Sequence, residues 1–308
     1  MAQKLSAFTS PNHPIRRMRR LRELLIEFVL MAAAASSIFI TVGIIYILVS
    51  ESLPFFDHVS LKEFLTGTEW TPLFENAHFG ILPLLCGTFL TTVIALSVAI
   101  PMGTVAAAYL SEYVHPTARE ILKPILELLA AVPSVVYGYF ALLFLTPLLQ
   151  KIIPSLPGFN VLSAGLVMGL MIVPYVSSLS EDAMRAVPLH LREGSFAMGA
   201  SRFQTVFRVI IPSAFSGISS AYILAVSRAL GETMIVAVAA GMQPSLTLNP
   251  LRPAATVTAF IVQVSMGDLP QGSIGYRSIY VAGLSLLFLT LCFNIFGLWL
   301  RKKFQEQE

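Results

Sequence analysis

The run SSAYILAVSRALGETMIVAVAAG, residues 219–241, decides the fold class of this chain. It is free of charge apart from Arg228 and Glu232, which stand four positions apart. On a continuous helix four residues make about one turn, so both side chains would project from the same face. A charge at the centre of a bilayer costs several kcal/mol. The meaning of this pair therefore depends on whether the run lies in a membrane.

Composition indicates that it does. Hydrophobic residues make up 56% of the chain and charged residues 12%, with a mean hydropathy of +0.76. A soluble domain carries about twice that share of charge. Six apolar runs reach the roughly 20 residues that a helix needs to cross a bilayer. The prediction is an all-α polytopic membrane protein with six transmembrane helices, at residues 28–50, 81–110, 126–149, 161–179, 210–240 and 278–300.

Four of the apolar runs have features that affect how they are expected to cross the membrane. The spans at 81–110 and 210–240 are longer than necessary and contain Pro or Gly, which predicts a tilt or a break. A seventh run, ATVTAFIVQVSM at 255–266, is too short to span and is expected to lie in a loop or to re-enter the membrane. The segment MAAAASS in the first span resembles a signal-peptide cleavage region. Apolar residues continue well beyond it, so we expect an uncleaved anchor.

The distribution of basic residues predicts the orientation. With the N-terminus inside, the inner segments hold fifteen of the 20 Lys and Arg residues and the outer segments hold four. By the positive-inside rule, both termini and the loop at 180–208 are expected to be cytoplasmic. The net charge of +3 then reflects topology, and nothing indicates binding to nucleic acid.

Several kinds of chemistry are excluded for this chain alone. The two cysteines lie in predicted spans without metal or redox spacing, and all five histidines fall outside the spans. No Gly-rich phosphate loop is present. Arg228 and Glu232 are the only charges expected to be buried, since Glu112, Glu127 and Glu181 fall near span ends. We therefore expect no catalytic residues, no metal and no cofactor.

The loop before the fifth span carries a recognisable pattern. By composition alone, EGSFAMGASRFQTVFRVIIP at 193–212 would be a cytoplasmic linker with short helices. It resembles the EAA signature of ABC-importer permeases, which is Glu-Ala-Ala, three residues, Gly, and nine residues before Ile-x-Leu-Pro. The resemblance implies a coupling helix that sits in a groove of an ATP-hydrolysing subunit. The residues that match the motif, or replace its alanines with small residues, are Glu193, Gly194, Ser195 and Gly199.

Further stretches narrow the resemblance. LELLAAVPSVVYGYF at 126–140 and SRALGETMIVAVAAG at 227–241 resemble the membrane subunits of phosphate-specific ABC importers. MIVPYVSSLSEDAMRAVP at 171–188 and NPLRPAATVTAF at 249–260 are similar to the PstC-type subunit more than to its PstA-type partner. The similarity runs from about residue 81 to 299. It implies a bacterial inner-membrane location, a second permease subunit, two ATP-binding subunits and an extracytoplasmic phosphate-binding protein.

The same resemblance gives Arg228 and Glu232 a place in the substrate path. A guanidinium is a fixed-charge fork of hydrogen-bond donors suited to tetrahedral oxyanions. Glu232 would offset that charge when no anion is present. The alternative is an ion pair that only neutralises itself while the helix packs. Both interpretations stay open at this stage.

The resulting division of the chain has four parts. Residues 1–27 form a basic cytoplasmic arm, 28–80 the first helix and an outer loop, 81–300 the permease core with the coupling loop 180–208, and 301–308 a cytoplasmic tail. The expected function is ATP-driven phosphate import. Two alternatives are a permease for another oxyanion, such as sulfate or molybdate, and a proton-coupled secondary transporter in which Glu232 titrates.

Overall fold

The computed structural model describes residues 14–305 apart from positions 75, 268 and 271, and side chains from 22 to 303 apart from those positions and 300. The start of the predicted basic arm and the end of the predicted tail lie outside the described residues. Two π-helical segments, Ala141–Leu145 and Val206–Ile210, each join two consecutive α-helices. The helices are α1 Pro14–Phe56, α2 Leu61–Thr66, α3 Leu82–Glu112, α4 Pro116–Ala130, α5 Ser134–Phe140, α6 Thr146–Gln150, α7 Val161–Arg185, α8 Leu189–Ala197, α9 Arg202–Thr205, α10 Ile211–Ser213, α11 Phe215–Leu230, α12 Met234–Ala239, α13 Val257–Ser265 and α14 Ile274–Gln305.

The chain separates into two compact units, Met1–Ser50 and Glu51–Glu308. In the first unit, the described part is a single apolar helix, and none of its described side chains from position 22 onward is buried. An apolar surface of this length matches the hydrocarbon thickness of a bilayer. The second unit contains the remaining helices and the protein's packed core.

Within the described residues, four helices are long and apolar enough to cross a membrane. The count reaches six if each of two bent helix pairs is one span, so the predicted six helices correspond to four continuous helices and two bent pairs. One bent pair is Pro116–Ala130 with Ser134–Gln150, at 84°, and the other is Arg202–Ser213 with Phe215–Leu230, at 73°. Of the tilt or break predicted for the span at 81–110, a break does not occur, because α3 runs continuously through Pro101.

Helices α3 and α7 approach each other closely through small residues. A Cβ added at Gly169 of α7 would lie 2.7 Å from the carbonyl oxygen of Ala95, and one at Gly165 would lie 2.7 Å from a methyl of Ile94. Small residues of this kind let membrane helices pack backbone against backbone. The core that forms there includes the fully buried Met168 and Met171.

The seventh apolar run forms the short helix α13, which is mostly buried against the rest of the unit. Thr256 caps its N-terminus, and the Val257 N–H donates to Thr88 Oγ1 on α3 at 3.1 Å. Phe260 packs edge-on against Trp70, with ring centroids 5.1 Å apart. The run is therefore a buried helix that does not span, as its length predicts.

Candidate functional site

The predicted fifth span is broken twice. It bends at Ala214, and α11 then ends at Leu230, with three residues between it and the start of α12 at Met234. We call residues 231–233, GET, between α11 and α12, the second break, because residues 131–133, between α4 and α5, form a first break earlier in the chain. Interrupted helices leave backbone groups unpaired, so a break at membrane depth has to be buried in protein or line a water-filled cavity.

Glu232 supplies the missing partners at the second break. Its Oε1 accepts hydrogen bonds from the backbone N–H groups of Met234 at 3.1 Å and Ile235 at 3.4 Å. Its carbonyl oxygen accepts from the Thr258 hydroxyl of α13 at 2.6 Å. A carboxylate here satisfies orphan amides at the start of α12, where the helix dipole also favours negative charge. Glu232 is only 7% exposed, so it is part of the scaffold of the break.

The predicted common helical face of Arg228 and Glu232 is therefore wrong. Arg228 lies in the last turn of α11, whereas Glu232 lies in the break and turns its carboxylate to α12. Among the described residues, no ion pair joins the two side chains. The ion-pair interpretation fails because Gly231 ends the helix between them.

Arg228 instead rests on an aromatic ring. Its guanidinium carbon lies 4.6 Å from the centroid of the Tyr175 ring on α7, within the range of a cation–π interaction. The Nε atom is buried without a hydrogen-bond partner in the described structure. The side chain is half-buried, and no carboxylate pairs with it within the described residues.

A first break, residues 131–133, separates α4 from α5. The carbonyl oxygens at the end of α4 accept hydrogen bonds from two tyrosines. Tyr137 donates to Leu129 at 2.8 Å, and Tyr175 donates to Ala130 at 3.3 Å. Tyr175 thus contacts both the end of α4 and Arg228. Pro133 is the last residue of this break and directly precedes α5.

The helices that follow the two breaks touch each other. A Cβ added at Gly138 of α5 would lie 3.0 Å from Val238 Cβ, 3.1 Å from the Met234 carbonyl oxygen and 3.3 Å from Ile235 Cα of α12. A methyl group at position 138 would be in tight contact with α12, and the neighbouring atoms would have to shift by a few tenths of an ångström. The two breaks therefore belong to one region, which also contains Arg228, Tyr175 and Glu232.

The motif residues of the cytoplasmic loop lie on α8 and the turn after it. Glu193 and Gly194 are exposed or nearly so, and nothing lies within 4 Å of a Cβ added at Gly194. The Ser195 hydroxyl is hydrogen-bonded to that of Thr205 at 2.9 Å, which ties α8 to α9. None of the α8 residues is buried. The helix therefore presents an open surface.

Gly199 makes the turn between α8 and α9. Its φ of +81° is a left-handed conformation that residues with side chains rarely adopt. A capping box then starts α9, in which the Ser201 hydroxyl accepts from the Gln204 N–H and the Gln204 side chain accepts from the Ser201 N–H. The glycine of the motif is thus required by the backbone.

The sequence did not indicate the role of Arg192, which fastens α8 to the membrane helices. Its Nη1 lies 3.0 Å from Glu112 Oε1 at the end of α3, and its Nη2 donates to the Met184 carbonyl of α7 at 2.7 Å. Both charged side chains are mostly shielded from solvent. A displacement of α8 would therefore also pull on α3 and α7 through these two contacts.

A second set of charges that the sequence did not identify holds α4 to α7. Glu181 is 0% exposed and accepts from Arg119 at 2.6 Å and from Lys123 at 2.8 Å. Lys123 also pairs with Asp182. The expectation that Arg228 and Glu232 are the only buried charges is therefore wrong. Arg119 and Lys123 precede the third predicted span, in a segment for which no helix was predicted, so no local pattern indicated their pairing with Glu181.

Metal ligands are not clustered in the described part of the chain. No group of three or more His, Cys, Asp or Glu side chains is arranged there to hold a metal ion.

Comparison with known proteins identifies the family. Residues 99–306 match the family described as "Binding-protein-dependent transport system inner membrane component". The chain belongs to this family. It is a membrane-embedded permease subunit of an ABC transporter that works with other transporter subunits. Such permeases are not enzymes themselves, and ATP is hydrolysed by a separate subunit.

Relatives of the permease align with it over most of its length. It is 34% identical over 280 residues to "Probable ABC transporter permease protein YqgH" of Bacillus subtilis, covering 90% of each chain. It is 33% identical over 257 residues to "Phosphate transport system permease protein PstC" of Mesorhizobium japonicum, covering 76% of each. It is 32% identical over 267 residues to PstC 1 of Mycobacterium tuberculosis, covering 75% of the permease and 79% of the relative.

Solved structures support the fold of the permease. A bacterial ABC transporter involved in the import of alginate matches with a TM-score of 0.64 at 14% identity, over 92% of the permease and 99% of that chain. An inward-facing MetNI methionine ABC transporter matches with a TM-score of 0.53 at 17% identity, over 73% and 94%. At these identities the likeness concerns the fold alone.

Proposed function

We propose that this permease carries inorganic phosphate into a bacterial cell, in the inner membrane, with both termini in the cytoplasm. Its partners would be a second permease subunit, two ATP-binding subunits and an extracytoplasmic phosphate-binding protein. Support for the substrate comes from relatives named phosphate transport permeases at 32–33% identity. Support for the orientation comes from the excess of Lys and Arg in the predicted inner segments.

The observation that carries the proposal is that Arg228 has no anionic partner within the described residues, whereas Glu232 is engaged by backbone amides. A guanidinium that is charged at all physiological pH values and keeps donors unused is suited to a tetrahedral oxyanion. Intramembrane charges are usually functional. Arg228 would contact the passing anion, and Glu232 would hold the break that presents it.

Energy would enter through the loop around Glu193. The exposed helix α8 and the turn at Gly199 would sit in a groove of the ATP-binding subunit, with Gly194 and Ser195 allowing close approach. Arg192 would then transmit the displacement of α8 to α3 and α7 through Glu112 and the Met184 carbonyl.

Uptake by the complete transporter tests the substrate. The permease would be reconstituted in vesicles with its partner permease, ATP-binding subunits and binding protein, and uptake of radiolabelled phosphate, sulfate and molybdate compared. We expect ATP-dependent uptake of phosphate only. Preferred uptake of sulfate or molybdate would overturn the substrate assignment, and uptake driven by a proton gradient without ATP would identify a secondary transporter.

Arg228→Gln tests the residue in the same vesicles. We expect it to assemble and to lose phosphate uptake. The matched control is Lys151→Gln, which also removes one positive charge, from an exposed position. Equal uptake by the two variants would contradict a substrate-path role for Arg228.

A further inference from the structure

Tyr175 holds the Arg228 guanidinium without neutralising it. The ring lies under the guanidinium at 4.6 Å, and both residues are half-buried. A carboxylate in the same place would occupy the N–H donors and cancel the charge. The face of a ring attracts the cation through its quadrupole and leaves the in-plane donors available.

The ring is itself fixed in place. The Tyr175 hydroxyl donates to the Ala130 carbonyl, the last residue of α4 before the first break. One residue of α7 therefore connects the end of α4, at the first break, to the end of α11, at the second. The contact of Gly138 with α12 joins the segments on the far side of the same breaks.

Because the Arg228 side chain is flexible, its contact with the fixed Tyr175 ring favours anion binding. A free arginine side chain samples many rotamers, and it has to give up most of this freedom before it binds an anion. Because Tyr175 restricts the guanidinium beforehand, less is lost when the anion arrives.

We propose that Tyr175 is a positioning residue for the transported oxyanion, holding the Arg228 guanidinium charged and unpaired at the junction of the two helix breaks. This rests on the proposed role of Arg228 in the substrate path. The ring acts through Arg228, and the hydroxyl serves to orient the ring. No proton transfer by Tyr175 is involved.

The test compares Tyr175→Leu with Tyr175→Phe in the reconstituted transporter described above. The Leu variant loses the ring, and we expect phosphate turnover at saturating binding protein to fall about tenfold. The Phe variant keeps the ring and should retain at least about half of the parent turnover. In both, ATP hydrolysis and the half-saturating concentration of phosphate-loaded binding protein should stay at the parent values.

Tyr137 provides the matched control. It donates an equivalent hydrogen bond to the neighbouring Leu129 carbonyl, but in the described structure it makes no cation–π contact or hydrogen bond with Arg228. Tyr137→Leu should therefore lower turnover much less than Tyr175→Leu.

The remaining outcomes would contradict the proposed role of Tyr175 alone or that of Arg228 as well. If Tyr175→Leu and Tyr137→Leu lower turnover equally, or if ATP hydrolysis falls in step with turnover, Tyr175 is a packing residue and the inference is wrong. If Arg228→Gln abolishes uptake while Tyr175→Leu transports normally, the inference alone fails. If Arg228→Gln also transports normally, the proposed substrate path fails with it.

Discussion

The Glu232 carboxylate and the Met234 backbone are joined by a 3.1 Å hydrogen bond, with the Met234 N–H as donor. Together with the bond from the Ile235 N–H, it makes the Glu232 side chain the acceptor for the first two amides of α12, one position before the N-cap residue Thr233. Loss of a helix cap costs about 1 kcal/mol. We expect Glu232→Ala to lower the thermal unfolding temperature of the detergent-solubilised protein, because two amides lose their acceptor.

Glu232→Gln is the control for this first prediction. Its amide oxygen can accept the same two hydrogen bonds, so its unfolding temperature should lie close to that of the parent. Equal destabilisation by Ala and Gln would mean that charge, and not capping, accounts for the stability that Glu232 contributes.

The second prediction concerns Glu181. Its side chain is 0% exposed between Arg119 and Lys123. Glu181→Ala would leave two mostly buried cations without this partner, which costs about 3–5 kcal/mol. The matched control is Asp182→Asn, because Asp182 also pairs with Lys123 but is 58% exposed and should contribute less than about 1 kcal/mol. Thermal unfolding in detergent would measure both, and similar losses would contradict the burial argument.

The sequence predicts features of the fold that depend on neighbouring residues, whereas features that depend on contacts between distant residues are not predictable from it. Hydrophobic runs of about 20 residues identify membrane helices because hydrocarbon thickness is a fixed length. That rule located the continuous helices α3, α7 and α14. It could not place the 84° bend after α4, since a count of apolar residues does not report where a helix changes direction.

The site residues show the same limit. Arg228 and Glu232 stand out because charges are rare in an apolar run. Their separation by a break was missed because helical spacing was assumed to continue through Gly231. The burial of Glu181 depends on Arg119, 62 positions away, and no local pattern reports such a pair. Tyr175 is ordinary in sequence and becomes notable only beside Arg228.

The third prediction is the orientation of the coupling loop. In a variant with Cys86 and Cys292 replaced by Ala, Ser195→Cys should react with a membrane-impermeant thiol reagent only from the cytoplasmic side. Ser195 is half-buried against Thr205, so labelling after permeabilisation serves as the check on access. Labelling in intact cells from outside would contradict the predicted topology.

The fourth prediction tests the coupling surface. Gly194→Arg adds bulk at a helical position with open space around it, so the fold should be unaffected while the ATP-binding subunit is kept away. Gly199→Arg should have the same effect, but its φ of +81° adds strain. Gly199→Asn is the control, because Asn tolerates left-handed backbone. Normal co-purification of the ATP-binding subunit with Gly194→Arg would remove the coupling assignment.

The last prediction concerns the double variant Arg228→Gln with Glu232→Gln. Both charges are removed and polar bulk is kept. The amide oxygen introduced by Glu232→Gln can still accept the hydrogen bonds of Met234 and Ile235, so α12 should form normally.

If the pair served packing only, the variant would transport phosphate nearly as well as the parent. We expect it to assemble with the ATP-binding subunit and to lose uptake, since a neutral amide beside Tyr175 gives a passing oxyanion no fixed positive charge. The measurement is phosphate uptake per assembled transporter, with assembly quantified by co-purification. Parent-level uptake by a well-assembled double variant would reduce both residues to packing and capping.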